Sequence, residues 1–369
     1  MKPVSSFGPR KLGPPADVTS REAKILGIIE TARAKRGKFR DAQVTMAHGA
    51  GGKATQSLIE GLLAPAFGID ELADAATVEG GLALTTDSFV VKPLRFPGGS
   101  IGELAVNGTV NDLAMAGARP VALTLSLILE EGLAADELKA EVEAIAAAAR
   151  AADVRIVGGD TKVVERGHAD GMYVCTTGIG VVDERARLSP AGLRPGDRIL
   201  LSGRVGDHGT AIMLARGEFE LGATIESDTR SLWPAVDALL DAAGPQLRCL
   251  RDATRGGAAS VLNELARASN VAMIARERDV PVHPAVAGAA ELLGIDPMYV
   301  ANEGKLVAFV APEAADAALA ALRAAPGGED AAEIGEVRTE PPGMVLVETA
   351  FGGRRVMDQL VGDPLPRIC

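Results

Sequence analysis

Four aspartates, Asp87, Asp112, Asp160 and Asp252, each interrupt a stretch of small or apolar residues, and a cysteine, Cys369, ends the chain. A carboxylate in apolar surroundings costs free energy unless it is paired, hydrogen-bonded or bound to a cation. Asp87 lies inside Leu82 to Val91, an apolar run that predicts a strand. Asp112 follows Asn111 within the helical stretch Ser100 to Gly117, too deep in the pattern to serve as a cap. Asp160 follows Gly158-Gly159 and projects to the same side as Lys162 if the segment is extended. Asp252 stands in Arg251-Asp252-Ala253-Thr254-Arg255-Gly256-Gly257, ahead of a helix, and Asn302-Glu303-Gly304-Lys305 precedes the strand pattern Leu306 to Val310. Both knots sit at element ends, where functional groups are often displayed.

His48-Gly49-Ala50-Gly51-Gly52-Lys53 opens a helical pattern through Leu58, Ile59, Leu62 and Leu63. Free N–H groups at such a turn, with a lysine beside them, suit a phosphate. The spacing is not that of a Walker A loop, and many glycine-rich turns are only turns. Several carboxylates beside a phosphate-type turn fit Mg²⁺ with a nucleotide polyphosphate, so an ATP site is the inference.

Pro366-Arg367-Ile368-Cys369 reads as a swinging arm, a thiol on a proline-stiffened tail that can be carried into another site. The adjacent terminal carboxylate disfavours a thiolate and Arg367 favours one, so resting reactivity stays open. The bland alternative is a frayed end that happens to finish on cysteine. A prenylation box places its cysteine four positions from the end, which excludes a lipid anchor. The other cysteines, Cys175 and Cys249, have no pair spacing, which argues against disulfides and for a reducing compartment. Cys175 reads as a core thiol. The four histidines form no ligand-spaced pair with cysteine, which argues against structural zinc.

The elements that position these residues follow from composition. At 369 residues the chain has room for two domains. Apolar residues make up 47% and aromatics 3%, so the core is built from Ala, Val, Leu and Ile, which suits α/β layers. A net charge of −11 argues against nucleic-acid binding. The absence of a membrane-length apolar run or a signal-peptide core predicts a cytoplasmic chain without membrane association. Strands are expected at 121–129, 155–157, 173–182 and 198–202, and helices at 136–152 and 210–215. The expected organisation is an N-terminal extension (1–43) with a short helical pattern at Ile25, Ile28, Ile29 and Ala32, a first domain (44–188) and a Pro/Gly-rich linker (189–197). A second α/β domain (198–355) and a mobile tail (356–369) follow.

The motifs 48–53, Thr85-Thr86-Asp87-Ser88, 110–120, 158–164, 251–257, 302–305 and the Pro-Arg-Ile-Cys end occur in this order in the HypE family of hydrogenase maturation proteins. The chain resembles that family from about residue 44 to its end. The internal motifs are shared with the wider superfamily of aminoimidazole ribonucleotide synthetase, selenophosphate synthetase and thiamine-monophosphate kinase; the tail is the discriminating feature. The resemblance implies a two-domain α/β (α+β) PurM-like fold that dimerises through its N-terminal sheets, with ATP near that interface. It implies that a carbamoyltransferase, HypF, loads the terminal cysteine. ATP-dependent dehydration of the thiocarboxamide to a thiocyanate would then supply cyanide through HypC and HypD to the iron of nickel-iron hydrogenase.

By that resemblance Cys369 carries the substrate, and Asp87, Asp112, Asp160 and Asp252 organise Mg²⁺. His48, Gly49, Gly51, Gly52, Lys53, Asn111, Asp112, Asp160, Thr161 and Asp252 contact the nucleotide. Lys162 and Glu303 are the candidates for removing protons from the amide, although Lys162 is equally suited to neutralising phosphate. The competing expectations are a selenophosphate synthetase-like enzyme or small-molecule kinase, and an ATP-binding scaffold without turnover. No cysteine lies in 43–50, where selenophosphate synthetases display one, and a kinase would not need the terminal thiol.

Overall fold

A computed structural model describes residues 39–69, 72–217, 224–362, 367 and 369. The helical pattern expected at 25–32 and the stiffening role of Pro366 lie outside the described residues. Two compact units are distinguished. In the smaller, which includes 56–69, a π-helical turn at Ile59–Leu63 runs into a helical turn at Ala64–Phe67, ended by Gly68 in the left-handed region. The larger unit, 45–55 with 71–369, contains both main sheets.

The first sheet contains β1 (Ala76–Val78), β2 (Leu82–Phe89), β5 (Ala118–Glu130), β6 (Arg155–Val164) and β7 (Met172–Val182), in the order β1-β2-β7-β5-β6. A short ribbon, β3 (Arg95–Phe96) with β4 (Gly99–Ser100), precedes helix Ile101–Met115. Within this sheet only β5 and β6 run parallel, joined over helix Ala135–Ala151 as a parallel pair requires. Helix Ile101–Met115 is buried on nearly every side, only Glu103 and Asp112 being half-buried, and packs on the sheet and on the second helix. Gly108 permits this approach: a Cβ there would lie 2.7 Å from the Phe89 ring. The carboxylate of buried Glu141 accepts from Gly102 N at 3.0 Å, which satisfies an orphan donor at the helix start.

The second sheet contains β8 (Arg198–Leu201), β9 (Leu247–Asp252), β10 (Ala272–Arg276), β11 (Leu306–Val310), β12 (Ala332–Arg338), β13 (Val345–Glu348) and β14 (Arg354–Met357). The order is β14-β13-β10-β12-β8-β11-β9. Every residue of β11 is buried, because helices cover both faces: Gly257–Ala268 on one, Trp233–Ala243 and Ala315–Ala324 on the other. The expected linker is tied down: Leu193 and Asp197 are buried, and Gly196 N donates to Val337 O. Cys175 departs from expectation. It is half-buried on the open face of the first sheet, with Sγ 3.1 Å from Ser88 Oγ, while Cys249 is the core thiol. Among the described residues no helix is long and apolar enough to cross a membrane.

Candidate active site

Asp252 ends β9, and β9 pairs with β11 so that Asp252 lies opposite Leu306. The residues just before β11 are stitched to those just after β9. Ala253 N donates to Lys305 O, while Asn302 donates to Ala253 O from both its backbone and its side chain. This places Glu303 beside Asp252. The turn is fixed from below by buried Asp228, which accepts from Glu303 N at 3.0 Å, Gly304 N at 3.3 Å and Lys305 Nζ at 2.8 Å. Burial alone would raise the Asp228 pKa, but the Lys305 ammonium and these donors hold it below the ordinary value.

Helix Ile101–Met115 brings Asp112 to the same place, and the residue preceding Ala75 and β1 adds a third acid, Asp74. Oxygens of Asp74, Asp112 and Asp252 lie within 4.8 Å of one another. The Thr85 hydroxyl sits 2.7 Å from Asp112 Oδ2 and 2.9 Å from Asp74 O, and Arg251 pairs with Asp74. Burial, then repulsion from Asp252, Asp74 and Asp87, pushes the Asp112 carboxyl well above its usual range. Asp252 is raised likewise by burial and by Asp74. Three hard oxygen donors with excess negative charge and one arginine fit a divalent cation such as Mg²⁺.

Asp87 stands on β2, near enough to feel Asp74 and Arg255 and to act on Cys369. Cys369 is folded in: it is 7% exposed, its Sγ accepts from Arg255 Nη2 at 2.9 Å, and its terminal carboxylate accepts from Val90 N at 3.2 Å. Burial pushes the thiol up to about 12 despite Arg255, with Glu303 and Asp87 adding to the rise. The docked sulfur is therefore a neutral thiol at physiological pH. Glu303 is raised well above the usual carboxylate value by burial and by Asp252, and its Oε1 is buried without a hydrogen-bond partner among the described residues. Arg255 is presented by a turn that requires glycine: Gly256 and Gly257 have φ of 79° and 61°, and a Cβ on Gly257 would lie 2.4 Å from Met298 O.

The structure thus brings together Cys369, Glu303, Asp87, Asp112 and Asp252 from the sequence reading. It does not bring Asp160, Thr161 or Lys162 to them within one chain. Asp160 pairs across the sheet with Ser126, Ser126 with Cys175, and Cys175 with Ser88. Three strand spacings put Asp160 about 14 Å from the strand bearing Asp87. There Asp160 forms an exposed pair with Lys162 at 2.5 Å, and that hydrogen bond lowers its pKa.

The glycine-rich turn also differs from expectation. Lys53 Nζ pairs with Asp358 at 2.6 Å, while Lys53 N and Ala54 N donate to Leu360 O and Val361 O. A Cβ on Gly52 would lie 2.4 Å from Leu360 O. Close approach of the tail root accounts for that glycine, and Lys53 is committed to a carboxylate. Gly51 packs against Arg255, where a Cβ would meet Arg255 O at 2.9 Å. Gly49 has open space around the position a Cβ would take. His48 is buried in the 3₁₀ turn Met46–Gly49 with Nδ1 accepting from Thr45 N at 2.9 Å. Asn111 is a clamp: it donates to Arg230 O and Glu303 O and accepts from Leu232 N.

The sequence reading missed Asp74 and the role of Arg255. Asp74 sits in an ordinary-looking Leu-Ala-Asp-Ala-Ala stretch with no glycine or polar neighbour to mark it. Arg255 was visible in the 251–257 knot, where two consecutive glycines signal an unusual turn.

Comparison with known proteins gives a consistent picture. The family described as AIR synthase related protein, N-terminal domain, matches residues 72–182, and the corresponding C-terminal domain matches residues 194–347. Carbamoyl dehydratase HypE of Bradyrhizobium diazoefficiens is 52% identical over 337 residues, covering 90% of this chain and 97% of that one. A HypE–HypF complex structure superposes with a TM-score of 0.79 at 45% identity, covering 82% of this chain and 99% of that one. A HypE structure in complex with ATP gives 0.76 at 45% identity, covering 89% and 100%.

Proposed function

The chain belongs to the HypE family of carbamoyl dehydratases, and on that premise we propose that Cys369 carries the carbamoyl group into the carboxylate cluster for ATP-dependent dehydration. The enzyme is an ATP-dependent lyase of hydrogenase maturation. The observation that carries the assignment of residues is the position of the thiol, buried beside Arg255 with Glu303 and Asp87 close enough to shift it.

The chemistry follows from the leaving group. An amide oxygen leaves poorly, so it attacks the γ-phosphorus of ATP; an O–P bond forms and the bond to ADP breaks. The C–O bond then breaks, phosphate departs with the carbamoyl oxygen, and loss of the two N–H protons leaves S–C≡N. Arg255 is placed to hold the carbonyl group next to the sulfur and to stabilise charge on its oxygen as phosphorus is attacked. Glu303, with its raised pKa and unpartnered oxygen, is suited to take an N–H proton in the second step. Asp74, Asp112 and Asp252 would hold Mg²⁺, which when bound neutralises the polyphosphate charge; Asp87 is near enough to feel Asp74 and to act on the sulfur.

A homodimer completes this reading. β6 is an outer strand exposed along nearly its whole length, with Val157 57% and Val163 67% exposed, beside a sheet face that leaves Leu84 and Val181 open. An unprotected edge of this kind is normally covered. We assign that surface to a second copy, whose Asp160, Thr161 and Lys162 then reach the nucleotide bound by the first. HypF, found in complex with a HypE relative, is the proposed carbamoyl donor, and the HypC–HypD scaffold the proposed cyanide acceptor. The proposed domain limits, 44–188 and 198–355, take one sheet each, with β14 running two residues past the second limit to Met357.

The test is Cys369→Ala. Product formation is lost while ATP binding by calorimetry stays near wild type. Loss of ATP binding instead would make the docked tail a structural part of the nucleotide site and refute the carrier role.

A further inference from the structure

How deep the thiol enters depends on how the end of the chain is held, and apart from Arg255 the holding contacts fall on residues outside the internal motifs. Arg367 and Cys369, two positions apart, are gripped separately. The Arg367 guanidinium forms an ion pair with Asp170, and its carbonyl accepts from Arg216 Nη2. The Cys369 terminal carboxylate accepts from Val90 N at 3.2 Å, with Arg255 facing the sulfur.

The receiving residues are themselves organised. Asp170 also accepts from Lys92 Nζ at 2.8 Å and from the Tyr173 hydroxyl at 3.2 Å, so its carboxylate is aimed by two donors that do not belong to the tail. Arg216 Nε donates to Lys92 O at 2.7 Å, which fixes the guanidinium while its other arm holds the Arg367 carbonyl. Arg367 has φ of 61°, a left-handed conformation that a residue with a side chain adopts only when its surroundings impose it.

The geometry points to a tail-reading subsite in which Asp170 selects an arginine at the third position from the end, Arg216 fixes its carbonyl, and Val90 sets the depth of the final residue. Its ligand is a C-terminal peptide of the form arginine, any residue, cysteine. The subsite adds a specificity determinant to the carrier reading of Cys369 and rests on that reading for its catalytic meaning, but docking is measurable without any catalysis.

The experiment uses the full chain and N-ethylmaleimide, with alkylation of the C-terminal peptide followed by mass spectrometry so that Cys175 and Cys249 do not contribute. Arg367→Glu and Asp170→Arg should each speed alkylation of Cys369 by about tenfold or more, and the charge-exchanged double variant should return it to within about threefold of wild type. Asp170→Asn, which keeps the side-chain shape, should give an intermediate rate with an unchanged melting temperature. Single variants that alkylate at the wild-type rate, or an exchanged pair that reacts as fast as either single variant, would overturn the subsite. Protection of Cys369 without any dehydration of the carbamoylated wild type would instead leave the subsite intact and remove the carrier reading.

Discussion

Two groups of acids that look alike in the sequence have opposite fates in the fold. Asp112 and Asp252, joined by Asp74, are drawn into one knot where burial, and after it mutual repulsion, holds their carboxyls well above the ordinary range. Asp160, equally set among glycines and apolar residues, lies on an outer strand, is fully solvated, and is held low by Lys162. The knot gathers carboxylates whose oxygens are spaced to suit a cation. The outer pair has already satisfied its charge and gains a new role only when something covers it. On the proposed reading, such a site would be half preorganised within one chain and half supplied across an interface.

The largest effect that sharpens this contrast is expected from Asp252→Asn. Removing a charge from the cation cluster should lower single-turnover dehydration by about 100-fold or more. The same change should raise the melting temperature in the absence of divalent cations, since it relieves repulsion. A variant both slower and less stable would mean that Asp252 is held by a partner rather than repelled by its neighbours.

Lys162→Ala comes next, with turnover expected to fall by about 100-fold and no change in melting temperature. Mixing this variant with Asp252→Asn breaks or makes the interface claim. Random pairing places one intact composite site in half of the dimers, so roughly a quarter of wild-type activity should return. If none returns, the β6 residues act within their own chain or not at all.

The two regions also differ in the sign of their pH dependence. Carboxyls raised in the folded state, those of Asp74, Asp87, Asp112, Asp252 and Glu303, contribute stability that is complete below their unfolded values of 3.8 to 4.5. That contribution is lost as pH rises through the higher folded values. Asp160, lowered in the folded state, contributes above 3.8 and loses its contribution as pH falls. Denaturant melts without cation should therefore weaken from the acid side toward neutrality, and Mg²⁺ should flatten the curve. Stability that rises over that range would assign control to the outer pair.

The smallest effect is expected at Lys53→Met. The partly exposed pair with Asp358 is worth about 0.5 kcal/mol, and ATP affinity should change by less than about threefold. A tenfold loss would return Lys53 to the phosphates.

Much of the framework was legible because periodicity and turn residues are local. The expected strand Leu306 to Val310 matches β11, and the helices expected at 100–117 and 136–152 appear at Ile101–Met115 and Ala135–Ala151. Asp87, Asp112 and Asp252 were legible because a charge in an apolar run announces a cost. Strand order was not legible. β6 follows β5 in sequence yet lies on the far side of it from β2, and nothing local to Gly158-Gly159-Asp160 reports that. Asp74 was hidden for the converse reason, since only the fold supplies its burial. The partners of Gly52 and Lys53 come from residues 358–361, a distance in sequence that no motif spans.

The measurement that tests the central claim most directly is mass spectrometry of the C-terminal peptide, after the chain has been incubated with HypF, carbamoyl phosphate, Mg²⁺ and either ATP or a non-hydrolysable analogue. The account predicts a carbamoyl adduct on Cys369 that loses one water with ATP and keeps it with the analogue. An unmodified Cys369 alongside active HypF, or an adduct that ATP leaves unchanged, would contradict it.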